Sequence, residues 1–336
     1  MSETDLPSVV RRRAEDHTLP MTSPFDGAPT RAPAPVRRPR ALRLGSRIAL
    51  VAPAGPLHPD RIRAAEQRCR ILGFDPVVGR KAHGRQSFLA GPDADRLADL
   101  QRAFDDVSID AVWALRGGWG TARIVDDLDL SRQLDDPIPF IGFSDNTALH
   151  ARHAKLGVVS FHAPHPEFDT PVSLDPWFRR VTSHPGPIGA LPASSSAPYI
   201  PLRPGRATGR LIGGNLSIVT SLCGTRDQLQ AEGHILILED VGEPAYRIDR
   251  MLVQLRRAGV LDGVAGLAFG AFSGVSESET EHVRATLSDM ADTLGIPAVL
   301  GLPFGHIALN HALPLGVEST LDADACTLVL NEAAVR

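Results

Sequence analysis

Apolar positions along this chain recur in two rhythms that alternate. Ile48 to Val51 form a short β-type run, stopped by Pro53 and Gly55. "PDRIRAAEQRCRILGF" then takes up the helical period, with Ile62, Ala65, Cys69 and Leu72 on one face and Gly73 as terminator. "DPVVG" reads as a second strand, and "PDADRLADLQRAF" as a helix whose stripe is Leu97, Leu100 and Phe104. "DAVWAL" and "IPFIGF" are further strands, and "NTALHARHAKLG" is a helix ended by Gly157. Strand and helix alternate at βαβ spacing, which predicts a parallel sheet covered by helices on both faces.

The rhythm breaks between residues 166 and 205. "PGPIGALPASSSAPYIPLRPG" is dense in Pro, Gly and Ser and reads as a connection between domains or a long surface loop. A second ordered region follows. "GGNLSIVTSLCG" starts a helix after two glycines, "HILILED" is a strand with acidic residues at its end, and "PAYRIDRMLVQLRRAG" is an amphipathic helix with Ile248, Leu252 and Leu255 inward. "VAGLAFGAF" is a strand, "TEHVRATLSDMADTLG" a helix, and "PAVLGLPFGH" a strand running into a Gly-His turn. "LPLGVESTLDADACTLVL" predicts a closing hairpin around Asp322 to Asp324. Residues 1–43 lack either period, are rich in Pro, Ala and Arg, and are expected to form a disordered tail. The expected organisation is thus a tail, an N-terminal α/β domain over 44–165, a connection over 166–205 and a C-terminal domain over 206–336.

Composition narrows the function classes. The 336 residues are ample for two domains with real cores, and the net charge of −4 gives no basic field for nucleic acid or an anionic membrane. No apolar run is long enough to span a bilayer, and the N-terminus lacks the apolar core of a secretory signal. The three cysteines, Cys69, Cys223 and Cys326, are far apart and suit a reducing cytoplasm. There is no HExxH and no CxxC, so no metal or other cofactor is expected. His150 and His153 in "HARH" have ligand-like spacing but read as surface or packing residues.

Ligand sites in open α/β sheets lie beyond the carboxyl ends of the strands. Four strand ends carry candidate chemistry: Arg116-Gly117-Gly118, Ser144, Glu239 and His306. Each also has a purely structural reading. The glycines suit a tight turn, Ser144 an N-cap, Glu239 a cap for the next helix, and His306 a backbone contact. Together they supply a serine, a carboxylate and a histidine, the parts of a hydrolytic triad, with backbone N–H groups of Gly118 and Asp145 as candidate oxyanion donors. "GFSDN" does not match G-x-S-x-G, and among twelve histidines some partner is always available. Spacing alone therefore leaves the triad and the structural readings both open.

The segments "VAPAG" at 51–55, "LRGGWGTARIVDDLD" at 115–129, "IGFSDNTALH" at 141–150, "GGNLSIVTSLCGT" at 213–225, "ILILEDVGEPAYRIDRMLVQLRRAGVL" at 235–261, "GAFSG" at 270–274 and "GLPFGH" at 301–306 resemble, in order, the LD-carboxypeptidase family of serine peptidases, which includes muramoyltetrapeptide carboxypeptidases and microcin-immunity peptidases. The resemblance implies a flavodoxin-like N-terminal α/β domain and a C-terminal α/β domain with a mixed sheet. It implies Ser144 as nucleophile, Glu239 as carboxylate, His306 as base, and the backbone of Gly118 and Asp145 as oxyanion hole, at a site between the domains. It further implies cytoplasmic hydrolysis of the L,D amide before the C-terminal D-alanine of a muropeptide, in peptidoglycan recycling, by a homodimer. Arg116 is a candidate for the substrate carboxylate, with a salt bridge to Asp126, Asp127 or Asp145 as the structural reading. Two departures touch the substrate cleft. Trp119 stands where the family more often has Tyr, and "FHAPHP" at 161–166 replaces the family's "HGP". A peptidase for peptidyl-nucleotides is the alternative, with Trp119, Trp177 and Phe178 as an aromatic wall, and a catalytically silent binding module is a third reading.

Overall fold

The apolar runs at 47–51, 111–114 and 140–142 become neighbouring parallel strands because they are apolar on both faces, and only a sheet covered on both sides buries such runs. The computed structural model of the chain describes residues 36–166, 171, 175–193 and 199–336. Its first sheet holds β1 (Arg47–Val51), β2 (Asp75–Val78), β3 (Ala111–Ala114), β4 (Phe140–Gly142) and β5 (Ser160–His162). Their spatial order is 2-1-3-4-5, all parallel, which is the flavodoxin-like arrangement expected from the chain. The outer edge of β5 is closed by the antiparallel strand β12 (Leu313–Leu315), which comes from the far end of the sequence.

Helix α1 (Pro59–Ile71) crosses between β1 and β2, and α2 (Asp93–Asp105) between β2 and β3. In α2, Leu100 and Phe104 are fully buried against the sheet, and burial of such side chains contributes about 1.5–3 kcal/mol each. The short α3 (Ser131–Asp135) precedes β4, and α4 (Thr147–Leu156) links β4 to β5.

The second sheet is mixed. Strands β8 (Arg206–Asn215), β9 (Ile235–Val241), β10 (Gly266–Ser273) and β11 (Ala298–Leu300) run parallel at its centre. β7 (Ile200–Arg203) is antiparallel on one side. The expected hairpin, β13 (Glu318–Asp322) and β14 (Thr327–Leu330), and the short β6 (Gly189–Ala190) close the other. Helices α6 (Leu216–Ser221), α7 (Ala245–Arg257) and α8 (Glu277–Leu294) cover one face. Ala148 and Ala151 of α4 join that same apolar cluster, so α4 packs against both sheets. The described residues form one compact body.

Three expectations change. Residues 36–42, read as part of the tail, are ordered: Leu42 is buried, Arg37 N–H donates to Gly157 O, and Ala41 N–H donates to Arg336 O. The segment 166–205, read as a connection, carries β6, β7 and α5 (Asp175–Ser183). Trp177, Phe178 and Val181 give α5 a buried face despite the surrounding prolines. The stretch "RATGRLIGGN", of which only the closing "GGN" was read, as the start of a helix, is the ten-residue strand β8. Residues 1–35 and part of 166–205 lie outside the described residues.

Candidate active site

Ser144 follows β4 and opens a 3₁₀ turn over Ser144–Asn146 that leads into α4. Its side chain caps neither element, for the residues in capping position are Phe143 and Asn146. Ser144 instead holds a left-handed backbone, φ 62°, which costs a non-glycine residue about 1–2 kcal/mol. That conformation is maintained by its surroundings. Asn146 Nδ2 donates to the carbonyls of Phe143 (3.0 Å) and Arg116 (3.2 Å). The Asp145 carboxylate accepts Thr121 N–H at 2.8 Å. Gly117 lies directly against the turn. A Cβ there would stand 2.7 Å from Ser144 Cβ and 2.8 Å from its Oγ, so this position must lack a side chain.

The Ser144 hydroxyl lies 3.2 Å from His306 Nε2, and His306 Nδ1 lies 2.7 Å from Glu239 Oε2. Glu239 is on β9 and fully buried. Burial on its own would raise its pKa, but His162 and His306 outweigh that and hold it low, at about 2. An ionised carboxylate only accepts, so Nδ1 of His306 carries the proton and Nε2 presents its lone pair to Ser144. Burial pulls the His306 pKa down, and the neighbouring Glu239 more than reverses this, leaving it raised. Glu239 caps no helix, because α7 begins at Ala245 with Pro244 in the capping position. His306 sits in the loop after β11, where Asn310 Oδ1 accepts Gly305 N–H at 3.0 Å and Ser273 Oγ donates to the His306 carbonyl at 2.8 Å.

Several residues around this line were not singled out from the sequence. Asn215 Nδ2 donates to Glu239 Oε1 (3.3 Å) and Asp240 Oδ1 (3.0 Å). Its place directly after "GG" was the available signal. His162, at the end of β5, is fully buried with its Nε2 3.9 Å from Glu239 Oε1. That is an electrostatic contact rather than a hydrogen bond. His165 is buried against Phe143, with ring centroids 4.4 Å apart, and burial holds its pKa near 3. "FHAPHP" thus lies beneath the serine turn rather than along an open cleft.

Other candidates separate. Arg116 is exposed and donates to Pro56 O at 2.8 Å, not to Asp126, Asp127 or Asp145. Trp119 is 40% exposed at the tip of its loop. Trp177 and Phe178 are core residues: Trp177 Nε1 donates to Ala312 O, and Phe178 stacks on Trp113 at 4.9 Å. His150 and His153 are buried, with His150 bonded to Ser160 and Gly142, and His153 to Leu149 and Gln133. Among the described residues no group of three potential metal ligands occurs.

The sequence model of the LD-carboxypeptidase N-terminal domain matches residues 48–163, and that of the C-terminal domain matches residues 208–321. The chain belongs to the LD-carboxypeptidase family. A protein of Streptomyces coelicolor is 39% identical to it over 307 residues, covering 89% of this chain and 97% of the relative. The murein tetrapeptide carboxypeptidase of Pseudomonas aeruginosa is 32% identical over 293 residues, covering 84% and 94%. Among solved structures, the muramoyltetrapeptide carboxypeptidase of Oxalobacter formigenes matches with a TM-score of 0.74 at 28% identity, covering 86% of this chain and 99% of that one. An MccF-like protein from Bacillus anthracis matches with a TM-score of 0.80 at 25% identity, covering 87% and 99%. The first LD-carboxypeptidase match spans β1 to β5, and the second runs from β8 to β13, including the strand β12 that the first sheet borrows. Ser144 lies within the first matched span, and Glu239 and His306 within the second.

Proposed function

We propose that this chain is a serine-type carboxypeptidase that hydrolyses the amide between an L-centre and a C-terminal D-alanine in a muropeptide. The observation that carries the reading is the continuous line from Ser144 Oγ through His306 to Glu239, at 3.2 and 2.7 Å. Ser144 Oγ attacks the scissile carbonyl carbon while His306 Nε2 takes its proton. The tetrahedral oxyanion is received by the N–H groups of Gly118 and Asp145. The latter is in the first turn of a helix, where N–H groups have no intrahelical partner. The C–N bond breaks as His306 returns the proton to the leaving D-alanine amine. Water, activated by the same histidine, then hydrolyses the acyl-serine ester. Glu239 fixes the tautomer and stabilises the imidazolium. No metal takes part.

Arg116 and Trp119 are assigned to the substrate, Arg116 to a carboxylate and Trp119 to the wall of the cleft. Their exposure on the loop beside Gly118 supports this. If Arg116 reads the terminal carboxylate, Arg116→Lys impairs a free-acid tetrapeptide far more than its C-terminal amide, because lysine loses the bidentate fork. The family names and the murein-directed relatives support peptidoglycan recycling. The three free cysteines, and the lack of any described helix long and apolar enough to cross a membrane, are compatible with the cytoplasm. A homodimer, supported by the family resemblance alone, is tested by sedimentation.

Cleavage of a peptidyl-nucleotide conjugate is the second reading, supported by the MccF-like fold match. It loses ground because Trp177 and Phe178 are packed in the core and leave Trp119 without them as a base-stacking wall. Turnover of a muramoyl tetrapeptide against an aminoacyl sulfamoyl-adenylate separates the two. D-alanine release from the first and none from the second is expected. The reverse overturns the muropeptide assignment, and cleavage of neither overturns the peptidase reading.

A further inference from the structure

A charged side chain lies almost out of contact with solvent against the same glycine loop that Ser144 packs on. Arg96, on α2, is 2% exposed. A buried guanidinium is costly unless its donors are used. Here they go to backbone carbonyls of three separate loops. Nη1 donates to Gly120 O at 2.9 Å and also to Pro53 O, and Nε donates to Gly91 O at 3.3 Å. Nη2 pairs with Asp93 at 2.5 Å, a carboxylate shared with Arg123. Gly120 accommodates this close approach because it has no Cβ; one built there would stand 2.8 Å from Nη1.

Two of those loops set the direction of one peptide. Gly55 N–H, two residues beyond Pro53, donates to Gly117 O at 3.0 Å. In a trans peptide the carbonyl and the next N–H point in opposite directions. Anchoring Gly117 O on Gly55 therefore turns Gly118 N–H away from the 53–55 loop. Downstream, Gly120 O is held by Arg96 and Thr121 N by Asp145. The peptide between Gly117 and Gly118 is fastened on both flanks, and Arg96 holds the Pro53 loop on one side and Gly120 on the other.

We propose that Arg96 is a positioning residue that sets the Gly118 N–H as an oxyanion donor by clamping the carbonyls of Pro53 and Gly120 together. This rests on the serine mechanism above. The planar five-donor fork is what the task requires, since a lysine ammonium on a flexible stem cannot serve carbonyls of three loops in fixed directions.

The test compares wild type with Arg96→Lys on the muramoyl tetrapeptide. It adds a tripeptide aldehyde ending where the acyl part of the substrate ends. Ser144 Oγ adds to that aldehyde carbon to give a hemiacetal, whose oxygen occupies the oxyanion position. Arg96→Lys is expected to lower kcat by about 10²-fold with KM within about threefold, the loss typical of a misplaced transition-state donor. It is expected to weaken the aldehyde by a similar factor and the carboxylic acid product hardly at all. Leu100→Ala, on the same helix and fully buried, controls for stability: it should lower Tm while the folded enzyme keeps its kcat. Arg96→Gln, which retains a single amide NH2 in place of the fork, serves if the lysine variant does not fold, and is expected to show the same split. Unchanged kcat and aldehyde affinity in a folded Arg96 variant overturns the proposal. So does a kcat loss matched by Leu100→Ala at equal Tm. A wild type that leaves the muramoyl tetrapeptide uncleaved and binds the aldehyde no better than the acid instead overturns the serine mechanism on which the proposal stands.

Discussion

Asp145 accepts the backbone N–H of Thr121 at 2.8 Å, so the residue after the proposed nucleophile is tied to the loop that carries Gly118. The carboxylate is 1% exposed. Burial pushes its pKa up, while the Thr121 contact works against that shift. The serine turn and the glycine loop are thereby one mechanical unit, although 24 residues separate Asp145 from Thr121 in sequence.

Removing the Ser144 hydroxyl should abolish turnover without unfolding the chain. Ser144→Ala is expected to lose about 10⁴-fold or more in kcat. Ser144→Gly should be equally inactive yet at least as stable as wild type, because glycine relieves the positive φ. Thermal melts and D-alanine release measured together decide this. A marked drop in Tm for the glycine variant would mean that the hydroxyl supports the fold.

The acid limb of kcat/KM should titrate above the usual histidine range. His306 must be neutral to accept the serine proton, and its raised pKa moves that requirement to higher pH. Glu239→Gln removes the charge responsible. It should shift the limb to lower pH and reduce kcat by roughly 10³–10⁴-fold. An unmoved limb would show that another group titrates.

Gly117→Ala tests the close approach on the other side of Ser144. The added methyl would meet Ser144 Cβ at 2.7 Å and Oγ at 2.8 Å, displacing the hydroxyl from His306. About a 10²-fold loss of kcat is expected, since misplacements of about 1 Å cost that much. Full activity in the alanine variant would refute the packing described.

Stability should fall steeply on acidification. His150, His153 and His165 are kept neutral by burial, with His153 near 4 and His165 near 3. The unfolded chain takes up protons at these sites near 6.5 and the folded one does not, so stability drains away from about pH 6.5 down to those values. Glu239, with its pKa near 2, contributes stability above the ordinary carboxylate range that is lost as pH falls through its folded value. His306 works the other way: its contribution is complete below the ordinary histidine pKa and lost as pH rises through the raised one. The net expectation is a loss on the order of several kcal/mol between pH 7 and 4. Urea midpoints across that range measure it, and a flat profile would contradict the buried neutral histidines.

Legibility in the sequence followed surface exposure and period. β1, β3 and β4 were readable because strands buried on both faces are apolar runs, and β2, α1, α2 and α4 by their period between them; the three-residue β5 and the five-residue α3 were too short to show a period. β8 was not, since "RATGRLIGGN" mixes two arginines and three glycines into a strand paired on both sides by β13 and β9. β12 could not be assigned to the first sheet from "LPL", because strand pairing across such a separation leaves no local trace. Ser144, Glu239 and His306 were readable as strand-end chemistry, and their contact was not. Arg96 looked like any solvated helical arginine. Only the loops folded over it give it a task, and two of those, at Pro53 and Gly120, come from distant stretches of the chain.

The antiparallel strand β12 completes the first sheet from beyond the strands β8 to β11 of the second. A ribosome making this protein from its N-terminus therefore releases β5 long before its edge partner exists. Until Leu313–Leu315 has emerged, that edge presents unpaired backbone groups, the kind of surface that recruits strands from other chains. Truncation anywhere before residue 313 leaves the same exposed edge permanently. An N-terminal half cut out before that point keeps the serine and the whole parallel run of strands, with an unpaired β5 edge where β12 belongs.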